Sequence, residues 1–188
     1  MEEQIMNMPA VALRGLTILP GMIAHFDISR ERSLRAVEEA MEQDQKIYLV
    51  TQRNVDSEDP TQEDLYQMGI VADIKQVVRL QNDVVRILVD GISRAALLGF
   101  TGNEKYLEAE ICYCDSNADS LPEDLREAML LGVREAFHRY AAVVGKISKE
   151  LIRQIDQYED LEKLIDYVTN NLPCLLYTSP SPRDAHES

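Results

Sequence analysis

Few residues in this chain combine a reactive side chain with a spacing that chemistry can use. Cys112-Tyr113-Cys114 puts two thiols on the same side of a strand end, because successive side chains alternate. Structural zinc needs a second Cys/Cys or Cys/His pair, and His25 and His138 stand alone with no partner at ligand spacing. The fragment Gly145-Lys146-Ile147-Ser148 has part of a phosphate-binding loop. Tyr140 occupies the place of its upstream glycine, and Ile147 stands where Ser or Thr should follow Lys. Ser148 and Lys149 could suggest a Ser-Lys dyad, but neighbours on a helix point about 100° apart and do not face each other. A helix cap explains Ser148 better. No catalytic residue, cofactor-binding residue or metal ligand is assigned, and the chain by itself is expected not to be an enzyme.

Charge narrows the partners. The chain has 188 residues and a net charge of −14, from 33 acids against 19 bases. Nucleic-acid binding needs clustered Lys and Arg, and an anionic membrane surface attracts the same residues, so neither is an expected partner. No apolar run approaches the roughly 18 residues of a membrane span. The opening Met1-Glu2-Glu3-Gln4 is acidic and is not read as a signal peptide. The three cysteines, Cys112, Cys114 and Cys174, form no disulfide framework. A cytoplasmic address is expected. With 45% hydrophobic and 28% charged residues, the chain is globular and long enough to bury a core.

The elements divide into a strand-rich part and a helical part. Residues 11–18 and 22–28 read as strands around a Pro20-Gly21 turn. Ser29 is the expected cap of a helix reaching about residue 44, with Leu34, Val37 and Met41 on its inner face. Residues 46–52 form a short apolar strand, and 54–61 a polar loop. Residues 69–80 and 84–89 are strands flanking Gln81-Asn82-Asp83, a hairpin turn. Residues 95–100 and 106–113 flank a second turn with Gly102 and Asn103. One helix among six or seven mostly antiparallel strands implies a small, strongly curved sheet or barrel.

From Ser120 the period changes. Ser120-Leu-Pro-Glu123 has the pattern of a capping box. Leu121, Leu125, Met129, Gly132, Ala136, Tyr140 and Val143 then recur at about 3.6 residues. Gly145 is expected to end that helix, Ser148 to cap a second and Asp160 a third, the last with Leu161, Leu164, Ile165 and Val168 inward. The fold class is therefore α+β: a β-rich lobe over 8–115, a partial helical lobe over 120–173, and a tail over 174–188. Within the tail, residues 174–184 resemble a translated sequencing-library adapter, so the tail is read as non-native and the gene as interrupted near codon 173.

One surface could have a binding role. The outer face of the first helix is mixed in charge, with Glu31 and Arg35 at the favourable i,i+4 spacing. A solvated face accounts for this pattern. A docking face for a subunit or a substrate is the sharper alternative, with Glu31, Arg32 and Arg35 as the candidate protein-contact residues.

Several segments resemble, in order, the N-terminal region of the Lon ATP-dependent protease family. They are Met8-Pro9-Ala-Val-Ala-Leu13-Arg14-Gly-Leu-Thr-Ile-Leu19-Pro20-Gly21-Met22, Ser29-Arg30-Glu31-Arg32-Ser33-Leu34, and Lys46-Ile-Tyr-Leu-Val-Thr-Gln52. Further matches are Glu63-Asp64-Leu65-Tyr66-Gln-Met-Gly69-Ile-Val71-Ala72, Val85-Arg86-Ile87-Leu88-Val89-Asp90-Gly91, Leu164-Ile165-Asp166-Tyr167-Val168 and Asn171-Leu172-Pro173. Each piece alone is weak; the ordered series is specific. Gly15 and His25 depart from the family's usual acidic or amide residue and proline.

The resemblance implies a PUA-like pseudobarrel lobe followed by a helical lobe. It implies a substrate-recognition and assembly region of an ATP-dependent protease that degrades misfolded and short-lived regulatory proteins. Expected partners are unfolded or degron-bearing proteins and, in the full-length parent, copies of itself in a hexamer. ATP, Mg and a Ser-Lys serine endopeptidase site belong to that parent, and no cofactor is expected in this region. The alternative is a stand-alone Lon-N-like protein-binding module with no ATPase or protease domain.

Overall fold

The structure, a computed structural model, describes residues 5–114, 120–145 and 147–172. The adapter-like tail, the acidic start over 1–4 and Lys146 of the glycine-lysine fragment lie outside the described residues. The described residues form two compact units, 5–114 and 120–172.

The first unit contains β1 (Ile5–Leu13), β2 (Ile23–Ile28), α1 (Glu31–Glu42), β3 (Lys46–Thr51), β4 (Met68–Arg79), β5 (Val85–Phe100) and β6 (Glu108–Tyr113). The sheet order is β2-β5-β4-β3-β1-β6, and β5 also pairs with β6, so five strands close into a ring with β2 added outside. Only β1 and β3 run parallel; the other pairs are antiparallel. A parallel pair needs a crossover, and here the path between its strands contains β2 and α1.

β3 shows why closure works. Its Ile47 and Leu49 enter one hydrophobic cluster, with Ala36, Val37 and Ala40 of α1. Its Tyr48 and Val50 enter a second cluster, with Ala95, Leu97, Ala109 and Ile111. Side chains alternate along a strand, and both faces here meet apolar neighbours. The continuous run Ile47-Tyr-Leu-Val50 is what a strand covered on both sides requires.

Several sequence expectations are corrected. The first strand is 5–13, not 11–18. The segments expected as two strands, 84–89 and 95–100, are one sixteen-residue strand, β5, running through Gly91. A Cβ at Gly91 would collide with the carbonyl oxygen of Leu19, so the chain can cross there only against glycine. The expected hairpin turn is present: Asn82 and Asp83 have φ of 60° and 58°, the left-handed pair that matches strand twist.

Ser29 does not cap α1. Arg30 holds the cap position, without a capping bond from its side chain. The buried stripe is Ser33, Ala36, Val37 and Ala40, so small residues let the helix approach the sheet. Leu34 is only partly buried against the core, and Met41 is 39% exposed.

The second unit contains α2 (Glu123–Val144), α3 (Lys149–Gln157) and α4 (Leu161–Asn171). Pro122, not Ser120, holds the α2 cap position. Gly145 ends α2 in the left-handed conformation, φ 66°. The Ser148 hydroxyl accepts from the Leu151 N–H, and the Asp160 carboxylate accepts from the N–H groups of Glu162 and Lys163, so both expected caps form. The expected inner stripe of α2 is largely outside. Phe137 and Ala141 are buried with Ile155 and Leu164, flanked by Leu130, Val133 and Tyr140. Leu125, Met129, Gly132, Ala136 and Val143 are exposed. α3 and α4 pack on a neighbouring face of the cylinder, and a regular period alone does not say which face finds a partner. Ile165 of α4 is likewise exposed.

Candidate protein-contact surface

The three candidate residues lie on the first turn and a half of α1 but have different surroundings. Glu31 and Arg35 are ion-paired to each other at the helix surface. Such an exposed pair adds only a few tenths of a kcal/mol. Arg32 is tied to the fold: its guanidinium donates to the Asp59 carboxylate at 3.1 Å and to the Asn103 carbonyl at 3.4 Å. It therefore links α1 to two loops. Glu31 and Arg35 remain the outward-facing part of the set.

Beside them is a polar cluster that no sequence pattern announces. The Ser57 carbonyl accepts from Arg14 at 3.1 Å, from Arg30 at 3.2 Å and from Gln52 at 3.0 Å. Gln52 also accepts from Arg30 at 2.9 Å and donates to the Asn54 carbonyl at 3.0 Å. Burial, followed by the neighbouring Arg14 charge, pulls the Arg30 guanidinium below its ordinary value. The cluster anchors the loop after β3 to the start of α1. No periodicity links Arg14, Arg30 and Gln52, so only the fold brings them together.

Among the described residues, His25 and His138 lie in different units. The His138 ring lies 2.8 Å from Asp156, joining α2 to α3. His25 borders a small depression with Gln76, Val78, Arg86 and Leu88. The Cys114 thiol is 3.7 Å from the Met68 sulfur. Among the described residues, no three His, Cys, Asp or Glu residues are grouped to hold a metal ion. Ser148 is occupied as a cap, and Gly145 as a helix end.

The outer face of β2, β5 and β4 carries the depression. His25 lies opposite Leu88, which lies opposite Gln76; Asp27 lies opposite Arg86, which lies opposite Val78. Arg86 donates to both Asp27 oxygens, at 2.7 and 2.8 Å. That bidentate bond holds the Asp27 carboxyl below the usual carboxylate range, against a smaller opposing effect of burial. Apolar side chains stand exposed nearby, with Ile23 at 67%, and Val77, Val78 and Leu80 on the hairpin.

A family model described as "ATP-dependent protease La (LON) substrate-binding domain" matches residues 7–176. The chain belongs to this family. Among curated relatives, the Lon protease of Lachnoclostridium phytofermentans is 36% identical over 94% of the chain, and that of Clostridioides difficile 35% over 88%. Lon protease 1 of Bacillus subtilis is 31% identical over 93% of the chain. The chain spans 22% of the length of each of these three relatives.

Two solved Lon N-terminal domains share the fold. The Mycobacterium avium complex domain aligns at TM-score 0.56 and 17% identity, covering 89% of this chain and 100% of its own. The Xanthomonas campestris domain aligns at 0.51 and 14%, covering 89% and 99%. The resemblance of the ordered segments and the α+β class both agree with these matches. No helix among the described residues is long and apolar enough to cross a membrane.

Proposed function

We propose that this chain is the substrate-engaging and assembly region of a longer, cytoplasmic, ATP-dependent Lon-type protease. The match to a substrate-binding family over residues 7–176 carries the reading. The partners are non-native or degron-bearing proteins, and the parent assembles as a hexamer. Apolar surface is what distinguishes an unfolded chain from a folded one. The exposed apolar side chains beside β2 and on the β4–β5 hairpin support contact of that kind. ATP hydrolysis and peptide-bond cleavage fall to segments of the parent outside this chain.

Binding of a reduced, denatured protein to the purified chain tests this reading. Capture of the denatured form but not of its native form is the expected result. Charge reversal at Glu31, Arg32 and Arg35 together is expected to weaken capture if α1 takes part; unchanged capture removes those residues from the surface. Sequencing the source gene beyond the codon for Pro173 separates the protease parent from a stand-alone module. A frame continuing into a P-loop and a Ser-Lys protease segment supports the parent; a prompt stop supports the module.

A further inference from the structure

β2 is paired on one side only. Its six residues, Ile23–Ile28, pair with β5 from Asp90 to Val85 without a register shift, and no other strand joins them among the described residues. The Gly91 N–H donates to the Met22 carbonyl at 3.0 Å, which fixes the phase of the ladder. Hydrogen-bonded pairs recur every second residue in an antiparallel ladder. Ala24, Phe26 and Ile28 therefore turn their main-chain groups toward β5, and Ile23, His25 and Asp27 turn theirs away. No main-chain bond to those three outward positions is found among the described residues.

Natural sheets protect such edges with Lys, Pro, bulges or a covering element. The sequence Ile-Ala-His-Phe-Asp-Ile contains no Lys and no Pro, and its pairing contains no bulge. Its one acidic residue, Asp27, is neutralised by Arg86. Its first side chain, Ile23, is an isoleucine 67% exposed.

We infer that the free edge of β2 takes an extended segment of a non-native polypeptide as an added antiparallel or parallel strand. This rests on the substrate-engaging reading and specifies how the substrate is held. Donors and acceptors alternating at the spacing of a strand fit a main chain, whatever its sequence. Alternate side chains of the added segment would lie beside Ile23 and His25, and the depression with Val78 and Leu88 adjoins them. Charge selects the occupant. A second copy of this chain would bring −14 against −14, whereas a segment with interspersed Lys or Arg is attracted.

The test uses a short fluorescein-labelled peptide in which valine alternates with lysine, and the same peptide N-methylated at two consecutive central amides, so that neither of its edges keeps a full set of N–H donors. The unmodified peptide is expected to bind the chain and to slow amide exchange at Ile23, His25 and Asp27. N-methylation is expected to weaken binding about tenfold, the effect of losing one or two main-chain hydrogen bonds. His25→Pro removes an outward N–H while leaving the β5 ladder intact, and should weaken binding by a similar factor. His25→Ala keeps that N–H and should bind within about twofold of wild type. If His25→Pro does not fold, the methylated peptide and the exchange pattern decide.

Binding without protection at the three amides, and equal affinity for both peptides, overturns the edge inference and leaves substrate engagement standing. Failure to bind either the peptide or a denatured protein overturns both. A dimer in sedimentation that protects the same amides without peptide overturns it in favour of a second copy.

Discussion

Single residues in this chain act through partners that are distant in sequence. Gln52 is 2% exposed and serves Arg30, Asn54 and Ser57 at once. Gln52→Ala removes a buried side chain and three part-buried hydrogen bonds, so it should destabilise the first unit by about 1–3 kcal/mol. Urea denaturation followed by circular dichroism measures it; a change near zero would show that water replaces the side chain. The Asp27–Arg86 pair makes a different prediction, about pH. Because the folded pKa of Asp27 is lowered, its contribution is present above the unfolded aspartate value of about 3.9 and lost as pH falls through the lower folded value. Both partners are well exposed, so the effect is small and screened by salt. Asp27→Asn should flatten the low-pH end of the stability profile, and an unchanged profile would remove the pair as a contributor.

At the scale of elements, β5 is the strand on which the first unit depends. It pairs with β2, β4 and β6 along sixteen residues, and Gly91 lets it pass the Leu19 carbonyl. Gly91→Ala should cost about 1–3 kcal/mol from overpacking against backbone that cannot move aside easily. A thermal scan in which the variant melts with wild type would contradict this. Gly91 at the end of the Val85-Arg-Ile-Leu-Val-Asp segment has the look of a strand terminator, which is why one long strand resembles two in the sequence. Periodicity shows which residues could share a face. It does not show that α3 and α4 cover Phe137 and Ala141 rather than Leu125 and Met129.

At the scale of the whole molecule, the two units differ in how much apolar surface each closes. Residues 5–114 contain two clusters that cover both faces of β3. Among the described residues of the helical unit, a cluster of four is buried, and Val143 remains 87% exposed. Short helices in water depend on tertiary packing more than on propensity. A piece comprising residues 1–114 should therefore unfold cooperatively on heating, and a piece comprising 115–172 should melt broadly with low helicity. Circular dichroism of the two pieces checks both expectations, and a sharp transition in the helical piece would overturn the second.

Local sequence is enough to specify the division into strands and helices, the Asn82-Asp83 turn, the caps at Ser148 and Asp160 and the stop at Gly145. Each depends on residues within a few positions of one another, where backbone preference and local hydrogen bonds decide. The ordered Lon-like segments make the family legible as well, because their residue types and order are properties of the chain itself. Other features arise only when the chain has folded: the pairing of β5 with three strands, the face of α2 that is buried, the cluster of Arg14, Arg30 and Gln52 around the Ser57 carbonyl, and the unpaired edge of β2. These join residues tens of positions apart, and local propensity carries no information about which distant backbone or side chain will arrive to meet them.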